Sequence, residues 1–252
     1  RGLGDVYKRQ VQHSYGGWTP RNGSHARYGQ QVPLKWALQH SNNWISASLI
    51  TTLGPQQFVG ILHDFGLNNP DIDRNATPVL SLGPCEVSVG EMVSAYTAFA
   101  NGGVRCAPLF VTKIEDSHGN VIAKFQPLMT EVISEDNSYR MIDMMRAVID
   151  GGTGSRLKGA YGMKGDICGK TGTTNSNSDG WFIAFTPELV SGAWVGGEDR
   201  DIHFDSTSLG QGAAAALPIW AYFMKKVYAD HQLGYSDKPQ FAIPKDFDFC
   251  ST

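Results

Sequence analysis

Gly169-Lys170-Thr171-Gly172-Thr173-Thr174 runs, across a four-residue gap, into Asp179-Gly180-Trp181-Phe182-Ile183-Ala184-Phe185. Residues 166–172, 180–185 and 189–197 read as three strands, rich in β-branched and aromatic side chains. Thr186-Pro187-Glu188 leaves room only for a tight reversal, so the last two strands pair antiparallel. Side chains alternate along a strand, which puts the Thr171 and Thr173 hydroxyls on one side. Gly172, with no side chain, lets a bound backbone lie against the strand edge. A lysine, two hydroxyls and a glycine on a sheet edge make a compact surface for a carboxylate.

Working outward, residues 213–229 form a final helix bearing Ile219, Phe223 and Val227, expected to pack on those strands. Upstream, Ser134 caps a helix whose buried stripe is Tyr139, Ile142, Met145 and Ile149, with Gly151-Gly152 at its end. Residues 109–115 and 121–125 flank Asp116-Ser117-His118-Gly119-Asn120 and read as a hairpin. Residues 87–100 form a helix with Met92, Tyr96 and Phe99 on one face, and residues 55–65 another, closed by Gly66. Pro33 opens a helix over 34–40. Ser41-Asn42-Asn43 interrupts it, and residues 44–53 resume with Ile45, Leu49 and Leu53 at helical spacing. Helices before strands and one after them predict an α+β fold with an antiparallel sheet flanked by helices.

The chain has 252 residues, 41% hydrophobic and 18% charged, with a net charge of −3. Such a composition buries a core readily and gives no basic surface for nucleic acid. No apolar run is long enough to span a bilayer. Cys85, Cys106, Cys168 and Cys250 form no Cys-x-x-Cys motif, and no two histidines sit at ligand spacing, so neither a metal nor a cofactor is expected. Cys85 and Cys106 read as buried free thiols, with a disulfide between them as the alternative. Residues 1–10 show no periodicity and read as a non-native leader outside the fold. Residues 11–232 read as one domain and residues 233–252 as a polar tail.

Lys170 can attract a carboxylate, and the Thr173 amide can donate to an oxyanion. Ser41, in a break between helices, can relay a proton to a leaving amine, and Asn43 can hydrogen-bond a substrate amide. Each motif also has a plain reading: a Lys-Thr-Gly turn, and a Ser-x-Asn helix cap. A phosphate loop would need glycine where Lys164 stands. Asp64-Phe65-Gly66 lacks the His-Arg-Asp loop of a kinase. Ser155-Arg156-Leu157-Lys158 is a literal Ser-x-x-Lys, but it follows Gly152-Thr153-Gly154 in what reads as a loop rather than a helix start.

Residues 18–228 resemble the transpeptidase domain of class A penicillin-binding proteins of the type-1a kind. Ser41-Asn42-Asn43 and Lys170-Thr171-Gly172 carry the resemblance. So do Trp18-Thr19-Pro20-Arg21-Asn22, Val89-Gly90-Glu91-Met92, Ala98-Phe99-Ala100-Asn101-Gly102-Gly103, Gly152-Thr153-Gly154, Asp179-Gly180-Trp181-Phe182 and Ala216-Leu217-Pro218-Ile219-Trp220. Gly210-Gln211-Gly212-Ala213 looks like Bacteroidetes versions. The resemblance implies a penicillin-binding/β-lactamase-like fold and a D-Ala-D-Ala transpeptidase. The implied catalytic residues are Ser41, Asn43 and Lys170; the implied substrate-binding residues are Thr171, Gly172 and Thr173. The implied partners are peptidoglycan stem peptides, lipid II-derived glycan strands and β-lactam antibiotics, at the periplasmic face of the inner membrane. In the family's order a Ser-x-x-Lys nucleophile precedes Ser41, and this sequence has none there. The expectation is therefore a partial domain, truncated at its N-terminus and inactive by itself. Its parent would carry the nucleophile helix, a glycosyltransferase domain and a membrane anchor. The alternatives are a serine β-lactamase, which needs a Glu-x-x-Leu-Asn loop that Asp64-Phe65-Gly66-Leu67-Asn68 matches poorly, and a non-catalytic peptidoglycan-binding module.

Overall fold

A computed structural model describes residues 7–23, 27–245 and 247. In chain order the elements are β1 (Tyr7–Arg9), β2 (Gln31–Pro33), α1 (Leu34–Gln39), α2 (Asn43–Leu53), α3 (Pro55–Asp64), α4 (Pro70–Arg74), α5 (Val89–Ala100), β3 (Val104–Cys106), β4 (Lys113–Glu115), β5 (Val121–Lys124) and β6 (Met129–Glu131). There follow α6 (Glu135–Gly151), α7 (Arg156–Gly159), β7 (Cys168–Thr173), β8 (Asp179–Phe185), β9 (Val190–Gly196), α8 (Thr207–Gly210) and α9 (Gly212–Ala229).

The predicted three-stranded antiparallel sheet is present, in the order β7-β8-β9. Lys170 lies opposite Ile183, and Phe182 opposite Ala193. One face takes α9: Phe182, Ala184 and Ala193 pack with Ala216, Leu217, Trp220, Ala221 and Met224. Phe182 meets Trp220 edge-on, ring centroids 5.6 Å apart. The other face takes α6, where Cys168 and Phe185 pack with Tyr139, Ile142 and Met145. A second core joins α2, α3 and α5 through Ile50, Val59, Ala95 and Ala98. Among the described residues, no helix is long and apolar enough to cross a membrane.

Local chemistry explains the helix starts. Ser134 caps α6 by accepting from the Asn137 amide, and the stripe Tyr139, Ile142, Met145 and Ile149 is buried as predicted. Ser88 and Glu91 form a reciprocal capping box on α5 that the sequence reading passed over. The hairpin is also present, shorter than expected, as β4 and β5.

Several expectations need correction. On α2 the buried residues are Ile45, Ala47 and Ile50, while Leu49 and Leu53 face solvent. On α9, Ile219 is 51% and Phe223 47% exposed, and Leu217 is 0% exposed. Both helices are apolar on more than one face, so periodicity does not select the buried one. The chain ends also belong to the fold more than the sequence suggests. Tyr7–Arg9 pairs with Gln31–Pro33, and Gln10 is fully buried, so the part of residues 1–10 that is described does not stand apart. Residues 1–6 lie outside the described residues. The tail folds back: the Asp166 amide donates to the Pro239 carbonyl at 2.7 Å, and the Phe241 amide to Asp166 Oδ2 at 3.1 Å. Cys85, Cys106 and Cys168 are free thiols, and Cys250 lies outside the described residues.

Candidate active site

Ser41 is the middle residue of the three-residue step His40-Ser41-Asn42 between α1 and α2, exposed and at φ 52°. It is not the helix cap that its position allows. Asn42 is: its Oδ1 accepts from the Ile45 amide at 3.1 Å. Asn42 is buried and anchors the step from behind. It donates to Gln10 Oε1 at 2.9 Å and accepts from Asn22 Nδ2 at 3.2 Å. Asn22 Oδ1 in turn takes the Asn43 amide at 2.6 Å. The sequence reading missed this polar hub, because its members lie in loops with no periodicity.

Lys170 comes to the same place from β7. Its Nζ donates to Ser41 Oγ at 2.9 Å, across 129 residues, and to the Thr171 carbonyl at 2.8 Å. Burial of the amine pushes its pKa down to about 8, because leaving water costs the charged form more than the neutral one. Asn43 stands at the first turn of α2, and its Nδ2 donates to the Arg21 carbonyl at 2.7 Å. That bond ties Asn43 to the Pro20-Arg21-Asn22 segment, a support the sequence reading did not foresee.

The strand register sets which groups face outward. The Thr174 amide donates to the Asp179 carbonyl at 3.1 Å. In this antiparallel ladder the amides of Lys170 and Gly172 therefore turn toward β8, and those of Thr171 and Thr173 toward the open edge of β7. Thr171 and Thr173 share a side, as alternation requires. That side is α9's, since their partners Phe182 and Gly180 pack there. Lys170 and Ser41 lie on the other face, and the strand edge joins the two groups. The hydroxyls are already engaged: Thr173 Oγ1 accepts from the Gly212 amide at 3.0 Å, and Thr171 Oγ1 donates to Thr153 Oγ1 at 2.7 Å. Gly212 permits that approach, since a Cβ there would overlap the carbonyl oxygens of Gly172 and Trp181.

Thr153 enters from the turn after α6. Its amide donates to the Gln39 carbonyl at 3.3 Å, and Gly152 lies so close to that carbonyl that a Cβ would overlap it. Ser155, the first residue of the Ser-x-x-Lys match, stands at the N-cap of α7 rather than in a loop. Lys158 points away from it, donating to Asp150 Oδ1 at 2.5 Å.

The turn between β7 and β8 forms the remaining wall. Thr174 Oγ1 accepts from the Asp179 amide at 2.9 Å, and Asp179 Oδ1 accepts from Trp194 Nε1 at 2.9 Å. Ser176 and Asn177 adopt φ 61° and 57°. With Ser41 they are the non-glycine residues of left-handed backbone among the described residues. The arrangement offers an amine poised near neutral pH, a hydroxyl in contact with it, and an outward backbone amide on an open strand edge. Such a set can hold a carboxylate and an oxyanion and can move a proton.

Residues 5–195 match the family described as penicillin binding protein transpeptidase domain. The chain is 36% identical over 213 residues to penicillin-binding protein 1A of Aquifex aeolicus, covering 83% of this chain and 27% of that protein. It is 33% identical over 217 residues to penicillin-binding protein 1A of Neisseria lactamica, covering 82% and 26%. The chain thus spans about a quarter of the length of these relatives. Among solved structures, penicillin-binding protein 1A from Haemophilus influenzae superposes with a TM-score of 0.80 at 26% identity, covering 94% of this chain and 40% of that one. PonA1 from Mycobacterium tuberculosis has the same fold, with a TM-score of 0.79 at 22% identity over 98% of this chain and 66% of that one. With more than half of its residues matched, and the Ser41–Lys170 contact in place, the chain belongs to the family of penicillin-binding protein transpeptidase domains.

Proposed function

We propose that the chain carries the substrate-holding and proton-relaying part of a serine D,D-transpeptidase that cross-links peptidoglycan stem peptides. The observation that carries this reading is the 2.9 Å contact between Lys170 Nζ and Ser41 Oγ. Because Lys170 donates, Ser41 keeps its own hydrogen. Ser41 can pass that proton to the amine released when a donor stem peptide is acylated, and recover one from Lys170. The outward Thr173 amide faces the edge where the carbonyl oxygen of the substrate gains charge. Positive charge at Lys170 draws the terminal carboxylate of the substrate to the same edge. Asn43, two residues after Ser41, is assigned the substrate amide through the donor and acceptor capacity that its bond to Arg21 leaves.

The attacking oxygen belongs to a Ser-x-x-Lys motif upstream of Ser41 in a longer polypeptide. It forms an ester with the penultimate residue of the donor peptide, and the C–N bond to the last residue breaks. The reading places the work at the periplasmic face of the inner membrane, on stem peptides borne by lipid II-derived glycan strands. It extends to β-lactams as covalent ligands. Among proteins of this fold, PonA1 from Mycobacterium tuberculosis is known in complex with penicillin V, and penicillin-binding protein A of that organism as an imipenem acyl-enzyme.

Incubation with a fluorescent penicillin, followed by gel electrophoresis, tests the assignment. The 252-residue chain and its Ser155→Ala variant are expected to stay unlabelled. A longer polypeptide with Ser-x-x-Lys upstream is expected to be labelled, and to lose most of the rate on Lys170→Met. Labelling of the 252-residue chain that disappears in Ser155→Ala would move the nucleophile to Ser155. A longer polypeptide that never labels would sink the transpeptidase reading.

A further inference from the structure

We infer that Thr153 is a specificity-determining residue of this cleft, and that its hydroxyl donates to the terminal carboxylate of the substrate. The inference rests on the transpeptidase reading of the site and changes which residue does the binding. A threonine hydroxyl has one proton to give. Thr171, assigned from the sequence to hold the carboxylate, directs its proton at Thr153 Oγ1, 2.7 Å away. Thr153 accepts that bond and so keeps its own proton. Thr173 does the same on the other side, since its Oγ1 accepts from the Gly212 amide. Two hydroxyls that each accept from within and each retain a proton thus adjoin Thr171, with Lys170 on the other face of the same strand. A carboxylate has two oxygens to satisfy, and these two donors suit it.

Thr153 is also held in place as a binding group must be. Its amide is fixed on the Gln39 carbonyl, and the next residue, Gly154, donates to the Val148 carbonyl at 3.0 Å. Gly152 closes on Gln39 with no space for a side chain. Gln39 ends α1, two residues before Ser41, so the turn that carries Thr153 and the step that carries Ser41 are fastened together. Thr153 remains half-buried, open enough to meet a ligand. Thr171 is then a positioning residue: its hydroxyl orients Thr153 rather than the substrate.

The test uses this chain and two probes, an N-acylated D-Ala-D-Ala dipeptide and its C-terminal amide, with affinities read by NMR titration. The wild-type chain is expected to prefer the acid about tenfold or more, the size of one charge-assisted hydrogen bond. Thr171→Val frees Thr153 from its orienting partner but leaves its donor in place, and is expected to lose only part of that preference. Thr153→Val in the Thr171→Val background is expected to cut it further, by about tenfold relative to Thr171→Val, down to what Thr173 and Lys170 supply, and Thr153→Ser in the same background to match Thr171→Val. Working in that background stops a released Thr171 hydroxyl from replacing the lost donor. The inference is overturned if Thr171→Val alone loses as much preference as the double variant, or if the double variant keeps it. A wild-type chain that binds neither probe overturns the reading of the site, and the inference with it.

Discussion

Gln10 Oε1 accepts a hydrogen bond from Asn42 Nδ2 at 2.9 Å, joining two buried side chains 32 residues apart. Asn42 also caps α2, so one side chain fixes both the helix start and the approach to Ser41. Asn42→Ala removes the cap and one of the two donors to Gln10 Oε1, which keeps the Arg27 amide at 3.2 Å. The expected loss is roughly 1.5–3 kcal/mol of unfolding free energy, from about 1 for the cap and about 0.5–1.5 for the lost hydrogen bond. Urea denaturation measures it, and a loss below about 1 kcal/mol would show that the hub is not structural.

The depressed pKa of Lys170 predicts a pH dependence. Its folded value is about 8, against 10.5 for the free side chain. Between those values the unfolded chain binds more protons than the folded one, so stability rises with pH across that window. Below pH 8 the folded state carries the full cost of a buried charge. The difference in unfolding free energy between wild type and Lys170→Met should therefore shift in favour of wild type from about pH 7.5 to 9.5. Staying under pH 10 avoids Tyr96 and Tyr228, which burial pushes up to about 12 and which pull stability down at higher pH. A flat difference over that range would mean that the amine is solvated.

The buried face of α9 separates two substitutions of similar size. Leu217→Ala, at a fully buried position, is expected to cost about 2–5 kcal/mol. Ile219→Ala, on the exposed side, is expected to cost under about 0.5 kcal/mol. Thermal or urea unfolding of the two variants decides it, and equal losses would place α9 in a different rotation about its axis.

Removal of residues 234–252 takes Pro239 and Phe241 from Asp166, and Asp166 also holds Arg146 at 3.0 Å. Truncation is expected to lower stability by about 2 kcal/mol, one lost backbone bond plus part of an aromatic burial. Faster amide exchange around residues 164–168 would accompany it. An unchanged urea midpoint would mean that the tail rests on the fold without supporting it.

Much of the fold was readable where one signal dominated. Val190–Gly196 and Asp179–Phe185 had to pair, because only four residues connect them. The α6 stripe was readable because polar residues separate its buried members. The α9 stripe was not, because Ala-Ala-Ala-Ala-Leu-Pro-Ile-Trp-Ala-Tyr-Phe-Met is apolar all round and only the sheet decides which side is covered. At the site, the resemblance carried by Ser41-Asn42-Asn43 and Lys170-Thr171-Gly172 implied that Ser41 and Lys170 meet. The direction of the Thr171 hydroxyl could not be read, since it depends on Thr153, which the fold brings in from another turn. Gln10 was set aside with the rest of residues 1–10 because a buried glutamine in a loop leaves no pattern in a sequence.

The two ends of the described chain also have a mechanical meaning. The entering strand grips Asn42 through Gln10, one residue from Ser41. The departing tail grips Asp166, two residues before β7 and four before Lys170. Both ends of the described chain are thus fastened within one to four residues of the two side chains that meet in the cleft, so the cleft walls and the chain ends are held by the same bonds.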